Sequence, residues 1–382
     1  MLDKTIRETF VEINLDDIAS NYNTIKNIIG RDVAITSVVK CNAYGHGAMA
    51  IASTLVECGT TYLGVATLSE ALEIKKRYMS FPVLIMGYTS PKNYEYLVGN
   101  DITQSIYSIE QAIKLNETAY KINKIAKVHI KIDTGFNRLG FKINDEATED
   151  ILKIFKLKNI EVEGIFSHLA LTSKEENENQ YNQLLNIIRY IENKSYKIKY
   201  KHICDSIAAM DFPEYRMNMI RPGALLYGMK SYKDNSIKFN QALKFKTIVS
   251  NIKKLNIGEG VSYKYSWKAK RKSIIGTVPV GYGDGLPRVI NDGFKMFING
   301  SYVPIVGKIC MDQCMLDLTD VSNPKIGNEV TIYGDGVKGM DIQSVSKYVG
   351  TNKNEILCRF SRRVPRIYYK NGKKVTKINY LL

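Results

Sequence analysis

The sequence has few cysteines, and they are not arranged as a metal site or a redox pair. None of the six forms a Cys-x-x-Cys motif, and the closest two, Cys310 and Cys314, lack histidines at metal-ligand spacing. Reduced thiols in a cytosolic protein fit this usage best. We therefore expect no metal site. The cysteines are Cys41, Cys58, Cys204, Cys310, Cys314 and Cys358.

Long apolar segments are also missing. No run reaches about 18 apolar residues, the length that a membrane-spanning helix requires. The first ten residues, MLDKTIRETF, contain no apolar signal stretch. We expect a cytoplasmic protein, and a membrane domain upstream of Met1 stays an open alternative.

Glycine and proline are not enriched, at 27 and 9 of 382 residues, so a disordered chain is not indicated. Apolar residues make up 45% and charged residues 24%, which is ordinary for a globular protein of two domains or of one large barrel with an addition. The formal charge of +16 comes from scattered lysines, without an arginine-rich arm. A solvated, lysine-rich surface is the simpler interpretation, and we expect no nucleic-acid partner.

Up to about residue 230, short apolar runs alternate with helix-like segments. This alternation predicts an α/β fold, a TIM-type (β/α)8 barrel. A capping box at Thr67 and Glu70 marks the start of one of its helices. The eight predicted strands are Val33–Val39, Tyr62–Ala66, Pro82–Gly87, Ile102–Tyr107, Lys127–Ile132, Val162–Ser167, Tyr200–Cys204 and Asn218–Ile220.

The last third of the chain follows a different pattern. Asn299-Gly300 and Asn371-Gly372 each separate two strand-like runs, which is typical of β-hairpins. Further strands are predicted at Ser273–Val280, Pro304–Ile309 and Glu329–Tyr333. We predict a barrel domain over residues 1–235 and a mostly β domain over 236–382, and the first residues could pair with the second domain.

Chemically active residues follow several predicted strands, where barrel enzymes carry their active sites. Lys40 ends the first apolar strand, and a desolvated lysine amine is the nucleophile that Schiff-base chemistry requires. Lys40 could equally extend to solvent at a barrel rim. Arg138 follows the fifth strand and suits a carboxylate, although it could simply pair with Asp133.

Three further strand ends carry weaker signals. His168 follows the sixth strand, where a lone histidine is more often structural than catalytic. Ser206 and Gly223 follow the seventh and eighth strands and offer a hydroxyl and a backbone amide to a phosphate. Together these residues predict a site for an anionic cofactor and a carboxylate substrate.

Seven ordered motifs resemble those of alanine racemases, from about Val11 to the C-terminus. They are the segment around Lys40, KIDTGFNRLGF (131–141), Ser167-His168, RPGALLYG (221–228), VSY (261–263), VGYGDGLPR (280–288) and GKICMDQ (307–313). The resemblance implies a racemase that depends on pyridoxal 5'-phosphate (PLP). By this match Lys40 would hold the cofactor through its amine, and Tyr44, Ser206, Gly223 and Ala224 would hold its phosphate.

The resemblance also implies the remaining roles. Arg221 would face the pyridine nitrogen, and His168 would contact Tyr263. Lys131 matches a position that is often carbamylated, and Arg138 would bind the substrate carboxylate. Lys40 and Tyr263 would be the two proton-transfer bases, on opposite faces of the substrate. The family's active form is a homodimer, in which Tyr263, Tyr282, Met311 and Asp312 would enter the site from the second subunit.

Two positions depart from the family pattern. Asn354 stands where a tyrosine is usual, as it does in the serine racemases of vancomycin-resistance systems, so we expect serine as a preferred or co-equal substrate. An ordinary alanine racemase is the alternative. Asp205 stands where asparagine is common, and His202 or a lysine could be its partner.

Other classes of protein fit less well. A PLP-dependent decarboxylase of basic amino acids would need a carboxylate where Arg221 stands. A non-catalytic PLP-binding barrel would lack both the β domain and Tyr263.

Overall fold

The structure is a computed structural model that describes residues 7–229, 232–234, 236–291, 293–334 and 336–382. Most strands belong to two large sheets, one entirely parallel and one mostly antiparallel. The predicted boundary between residues 235 and 236 falls on Asn235, which lies outside the described residues, and the two domain ranges stay a prediction.

The parallel sheet is a nearly closed barrel of eight strands. Its order is β10-β2-β3-β4-β5-β6-β8-β9, and the short β7 pairs with β6. The elements up to this point are β1 (Phe10–Asn14), α1 (Leu15–Ile29), β2 (Ala34–Val38), α2 (Lys40–Tyr44), α3 (Ala48–Glu57), β3 (Tyr62–Val65), α4 (Leu68–Lys75), β4 (Val83–Ile85), α5 (Tyr94–Gly99), β5 (Thr103–Ile106), α6 (Ile109–Lys121), β6 (Ala126–Asp133), β7 (Phe141–Lys142), α7 (Asp145–Phe155), β8 (Ile160–Phe166), α8 (Lys174–Asn193), β9 (Tyr200–His202), α9 (Ser206–Asp211) and β10 (Met219–Ile220).

All eight predicted barrel strands are present, and the fold class is confirmed. The last two strands, β9 and β10, are joined through the residues beside them. The backbone N–H of Arg221 donates to the carbonyl of Cys204 at 3.0 Å, and the Asn218 side chain accepts from the N–H of Lys201 at 2.7 Å. These contacts bring the segments that carry Ser206 and Arg221 side by side.

The second sheet has ten strands in the order β12-β15-β18-β17-β16-β19-β11-β1-β20-β21. Its elements are β11 (Leu243–Ile248), β12 (Asn251–Leu255), β13 (Gly260–Val261), β14 (Trp267–Lys268), β15 (Ser273–Val278), β16 (Lys295–Ile298), β17 (Ser301–Val306), β18 (Cys314–Asp317), β19 (Glu329–Gly334), α10 (Ile342–Val349), α11 (Lys353–Cys358), β20 (Arg366–Lys370) and β21 (Lys373–Ile378), with β13 and β14 forming a separate pair. Strand β1 lies between β11 and β20, so the first strand among the described residues belongs to this sheet, and the barrel strands follow it in the chain.

Local sequence signals account for several of these elements. Asn299-Gly300 and Asn371-Gly372 adopt positive φ and join β16 to β17 and β20 to β21, as a two-residue hairpin turn requires. Thr67 and Glu70 form the predicted capping box of α4. Among the described residues, no helix is both long and apolar enough to cross a membrane.

Candidate active site

A cavity of about 580 Å³ lies among the segments that follow the barrel strands. Lys40 follows β2, Arg138 follows β6, His168 follows β8, Ser206 follows β9 and Arg221 follows β10. The cavity brings together ten of the residues predicted from the sequence, namely Lys40, Tyr44, Lys131, Arg138, His168, Ser206, Arg221, Gly223, Ala224 and Asn354.

Lys40 begins a short turn with an unusual backbone. Cys41, Asn42, Ala43 and Tyr44 all have φ between 51° and 54°, the left-handed helical region. Each such residue costs roughly 1–2 kcal/mol, because its Cβ crowds the following carbonyl. No sequence pattern predicted this turn, and the surrounding structure has to hold it in place.

Hydrogen bonds hold the turn on both sides. The N–H of Cys41 donates to Glu70 Oε1 at 2.6 Å, and the N–H of Ala48 donates to Asn42 Oδ1 at 2.7 Å. The turn ends at Gly45 because the C-terminal part of the chain lies so close to it that no side chain fits there. A Cβ on Gly45 would stand 2.1 Å from the carbonyl oxygen of Leu357.

Ser206, Gly223 and Tyr44 form one end of the cavity. The Ser206 hydroxyl oxygen accepts from the N–H of Gly223 at 2.9 Å and of Leu225 at 3.4 Å, which leaves its own hydrogen to donate. A Cβ on Gly223 would stand 2.6 Å from the Tyr44 hydroxyl, so this close approach requires glycine. Two hydroxyls beside a cation-lined space fit the phosphate of a bound cofactor.

The structure corrects the predicted partner of Asp205. Its carboxylate caps α9, where Oδ1 accepts from the N–H of Ile207 at 2.9 Å and of Ala208 at 3.0 Å. Aspartate is a favoured N-cap, since its oxygen satisfies helix amides that have no other partner. Neither His202 nor a lysine is needed to offset its charge.

Arg221 fixes the protons of a buried chain of two histidines. A guanidinium can only donate, so His202 Nδ1 must accept from Arg221 Nη1 at 2.8 Å. The proton of neutral His202 therefore lies on Nε2, which donates to His129 Nδ1 at 2.9 Å. His129 then carries its proton on Nε2, an atom without a protein partner among the described residues. Burial and Arg221 lower the pKa of both histidines, His129 to about 3.

His168 is also held neutral. Burial first, and then Arg221 and other nearby cations, lower its pKa to about 3. Its Nδ1 lies 3.5 Å from Arg221 Nη2, and its ring lies 5.0 Å from that of Phe136. The contact with Tyr263 that the resemblance implied is not made within this single chain.

Lys131 and Arg138 lie on the same side of the cavity. Burial, assisted by Arg221 and Arg138, lowers the pKa of Lys131 to about 7. Its Nζ donates to the carbonyl of Ile132 at 2.8 Å. The Arg138 guanidinium stacks 4.4 Å from the centre of the Phe136 ring, and no described ion pair joins Arg138 to Asp133.

Four predicted site residues lie outside the cavity. Tyr263 is 62% exposed, Met311 52% and Tyr282 42%, and Asp312 pairs with Arg363 at 2.8 Å. They lie in neighbouring loops of the C-terminal part of the chain. The N–H of Tyr282 donates to the carbonyl of Cys310 at 3.1 Å, and the hydroxyl of Ser262, next to Tyr263, donates to the carbonyl of Lys308 at 2.8 Å. Within one chain, the structure does not bring Tyr263 to Lys40.

Several cavity residues were not predicted from the sequence. Asn352 and Lys353 line the cavity beside Asn354, and their adjacency to it was the available signal. Burial lowers the pKa of Lys353. No signal in the sequence indicated Arg366, which is buried and donates to the carbonyl of Gly45 at 3.3 Å.

A barrel that carries a lysine in such a cavity, joined to a β sheet, defines a class of PLP-dependent enzymes. Two family models match, "Alanine racemase, N-terminal domain" over residues 13–231 and "Alanine racemase, C-terminal domain" over residues 242–368. This chain belongs to the alanine racemase family. Members of the family depend on PLP, and the hydroxyls, amides and cations described above fit that cofactor.

Individual members of the family match nearly the whole chain in sequence and in structure. "Alanine racemase 1" of Caldanaerobacter subterraneus subsp. tengcongensis is 41% identical and the "Alanine racemase" of Clostridium novyi 39%, with 98–99% of this chain and 98–100% of theirs covered. Among solved structures, alanine racemase of Clostridium difficile 630 has a TM-score of 0.94 at 38% identity, covering 98% of this chain and 99% of that one. The alanine racemase of Bacillus anthracis "with bound L-Ala-P" has a TM-score of 0.91 at 33% sequence identity, and the match covers 98% of each chain.

The buried histidines predict acid sensitivity. The pKa of His46 is lowered to about 4 by burial, and those of His129, His168 and His202 are lowered as well. Unfolding returns each to its ordinary 6.5, so below this pH the unfolded chain binds protons that the folded chain does not. Stability is therefore expected to fall from pH 6.5 towards 4, by up to about 1.4 kcal/mol per pH unit for each histidine.

Urea unfolding midpoints across this pH range would measure the effect. His129→Gln, which cannot take up that proton, is expected to reduce the slope by one histidine's share. A midpoint that stays constant on acidification below pH 6.5 would contradict the prediction.

Proposed function

We propose that this protein is an alanine racemase that interconverts L- and D-alanine with PLP held by Lys40. The observation that carries the proposal is the cavity itself. It combines Lys40 at one wall with Arg138, Arg221 and the Ser206 hydroxyl at others. The relatives named alanine racemase support alanine rather than serine as the principal substrate.

The cavity residues would divide the binding between cofactor and substrate. Tyr44, Ser206 and the backbone around Gly223 would hold the phosphate, and Arg221 would face the ring nitrogen. Burial lowers the pKa of Arg221 only to about 10, so its guanidinium stays charged near neutrality and cannot accept a proton. Arg138 would bind the substrate carboxylate through its planar fork of donors.

Racemisation needs one proton removed from one face of the α-carbon and one returned on the other. When bound, PLP supplies an electron sink that makes the α-hydrogen acidic. Lys40 Nζ would exchange the proton on one face and the Tyr263 hydroxyl on the other. His168, held neutral beside Arg221, can connect Tyr263 to that cation once Tyr263 is in place.

A second copy of the chain would supply Tyr263. Tyr263, Tyr282 and Met311 are exposed apolar side chains in one group, outside the cavity of their own chain. A homodimer in which each copy inserts this group into the other's cavity would complete two sites. The exposure of Tyr263, which the proposed chemistry needs beside the substrate, supports this homodimer.

Kinetics on three variants test the proposal. Wild type is expected to convert L- to D-alanine and to show the absorbance of bound PLP, which Lys40→Ala removes. Tyr263→Phe is expected to lower kcat by at least about 100-fold, the usual contribution of a general acid–base group. Tyr265→Phe, at a neighbouring exposed tyrosine, is the control and should keep wild-type kcat. A wild type without racemase activity, or equal losses at Tyr263 and Tyr265, would sink the proposal.

Serine is the second candidate substrate, and the position of Asn354 favours it. Asn354 lines the cavity, where its amide could bind a serine hydroxyl. If so, Asn354→Tyr is expected to shift the ratio of kcat/KM values towards alanine by about 3- to 10-fold, the contribution of one hydrogen bond. Asn354→Leu keeps a similar size without the amide and should shift the ratio likewise. If alanine is preferred by a large factor in wild type and the ratio is unchanged in both variants, alanine is the principal substrate, and the main support for a resistance-type enzyme with an upstream membrane domain is removed.

We also propose that Lys131 is carbamylated. With a pKa of about 7 it is partly a neutral amine at neutral pH, and a neutral amine adds carbon dioxide and releases one proton. The product is an anion, so the repulsion that Arg221 and Arg138 exert on the Lys131 ammonium is replaced by attraction. Labelled bicarbonate should give a carbamate NMR signal in wild type that Lys131→Gln lacks. The same spectrum in both proteins would refute the modification.

A further inference from the structure

The last residues of the chain return to the turn that carries Lys40. After β21 the segment 379–382 turns back, and the Tyr380 hydroxyl donates to Asn42 Oδ1 at 3.1 Å. Asn42 is one of the left-handed residues that directly follow Lys40. The segment lies beyond residue 368, where the family-model match ends. This contact is therefore a feature of the structure that the family match does not describe.

Asn42 connects three parts of the molecule through one oxygen atom. Besides the Tyr380 hydroxyl, its Oδ1 accepts from the N–H of Ala48, the first residue of α3, at 2.7 Å. The side chain of Asn42 cannot rotate without breaking both bonds. The C-terminal segment and α3 therefore both restrain the same left-handed residue.

Tyr380 is itself held firmly. Its ring lies 5.1 Å from the guanidinium carbon of Arg366, and its carbonyl accepts from Arg362 Nη2 at 2.9 Å. Arg366 is 1% exposed and also donates from Nε to the carbonyl of Gly45, the residue that ends the turn. Tyr380 and Arg366 thus hold the turn at two points, its middle and its end.

We propose that Tyr380 is a positioning residue for Lys40, acting through Asn42 to hold the left-handed turn in the conformation that presents the lysine to the cavity. The proposal rests on the proposed function in one respect, that Lys40 holds the cofactor. A left-handed run of four non-glycine residues is unfavourable by itself, so its conformation depends on such contacts. Without the hydroxyl, other conformations of the turn become more populated, and Lys40 is less often in place.

Tyr380→Phe tests this, because it removes one oxygen atom and leaves the ring on Arg366. We expect amide hydrogen exchange within residues 41–47 to become about 2- to 10-fold faster, as the loss of one hydrogen bond predicts. In the loaded enzyme, PLP release should accelerate and kcat should fall within the same range. KM should stay near the wild-type value because Arg138 is untouched. Exchange elsewhere should not change.

Tyr302→Phe is the matched control. It removes a tyrosine hydroxyl that donates to the carbonyl of Lys338 at 2.7 Å. Tyr302 lies in β17 of the second sheet and makes no described hydrogen bond to the turn after Lys40. Equal exchange in residues 41–47 for both variants would overturn the proposal. So would a lower Tm with faster exchange throughout, since this would mean a general structural role.

Asn42→Asp provides a second check, because aspartate tolerates the left-handed region and keeps an oxygen acceptor. Asn42→Asp should retain slow amide exchange in the turn, whereas Asn42→Ala should show faster exchange. In the double variant, Tyr380→Phe should accelerate the exchange of Asn42→Ala only slightly, because the acceptor of its hydroxyl is already absent. A full additive effect in that double variant would overturn the proposal. Exchange measured without PLP reports on the turn even if the protein is not a racemase, so the two proposals can fail separately.

Discussion

The conformation of the turn after Lys40 is the constraint on which the rest of the site depends. Four consecutive residues with positive φ cost roughly 4–8 kcal/mol together, if each costs 1–2. An isolated peptide would not adopt this backbone. The contacts that compensate come from α4, through Glu70, from α3, through Ala48, and from the C-terminal part of the chain, through Arg366 and Tyr380. The lysine is therefore placed by both halves of the molecule.

Excess positive charge is the second organising feature. Five cations line one cavity, namely Lys40, Lys131, Arg138, Arg221 and Lys353. The one carboxylate among the described residues that line it, Asp205, caps α9. Such a cavity is suited to a phosphate and a carboxylate together. Burial, with the repulsion among the cations as the second cause, explains why the nearby histidines are neutral and why the pKa of Lys131 falls to about 7.

Under the proposed function, the cavity of one chain contains only one of the two bases. Lys40 would supply a base for one face of a substrate, while Tyr263 is exposed between β13 and β14 of the same chain. The homodimer proposed above resolves this, because the exposed group and the open cavity are then complementary parts of one site. Both residues that were expected to depart from the family pattern, Asp205 and Asn354, line the cavity, and only Asn354 enters the choice of substrate in the proposed function.

How much could be predicted from the sequence differs between elements. The eight barrel strands and both Asn-Gly hairpins were predicted, because each depends on a local apolar pattern or on turn residues that tolerate positive φ. The ten cavity residues were identified because strand ends meet at one edge of a barrel, and because their motifs resemble those of a known family. Lys353 was missed, although it adjoins Asn354.

The sequence by itself determined the barrel, the β-rich second part and the types of residue at the site. Only the tertiary structure decided the conformation of Cys41–Tyr44 and the proton positions of His129 and His202. Each of these depends on atoms that are distant in the chain or on a hydrogen-bond direction imposed by a neighbour. Arg366 and Tyr380 reach Gly45 and Asn42 across more than 300 residues, and no local pattern carries that information.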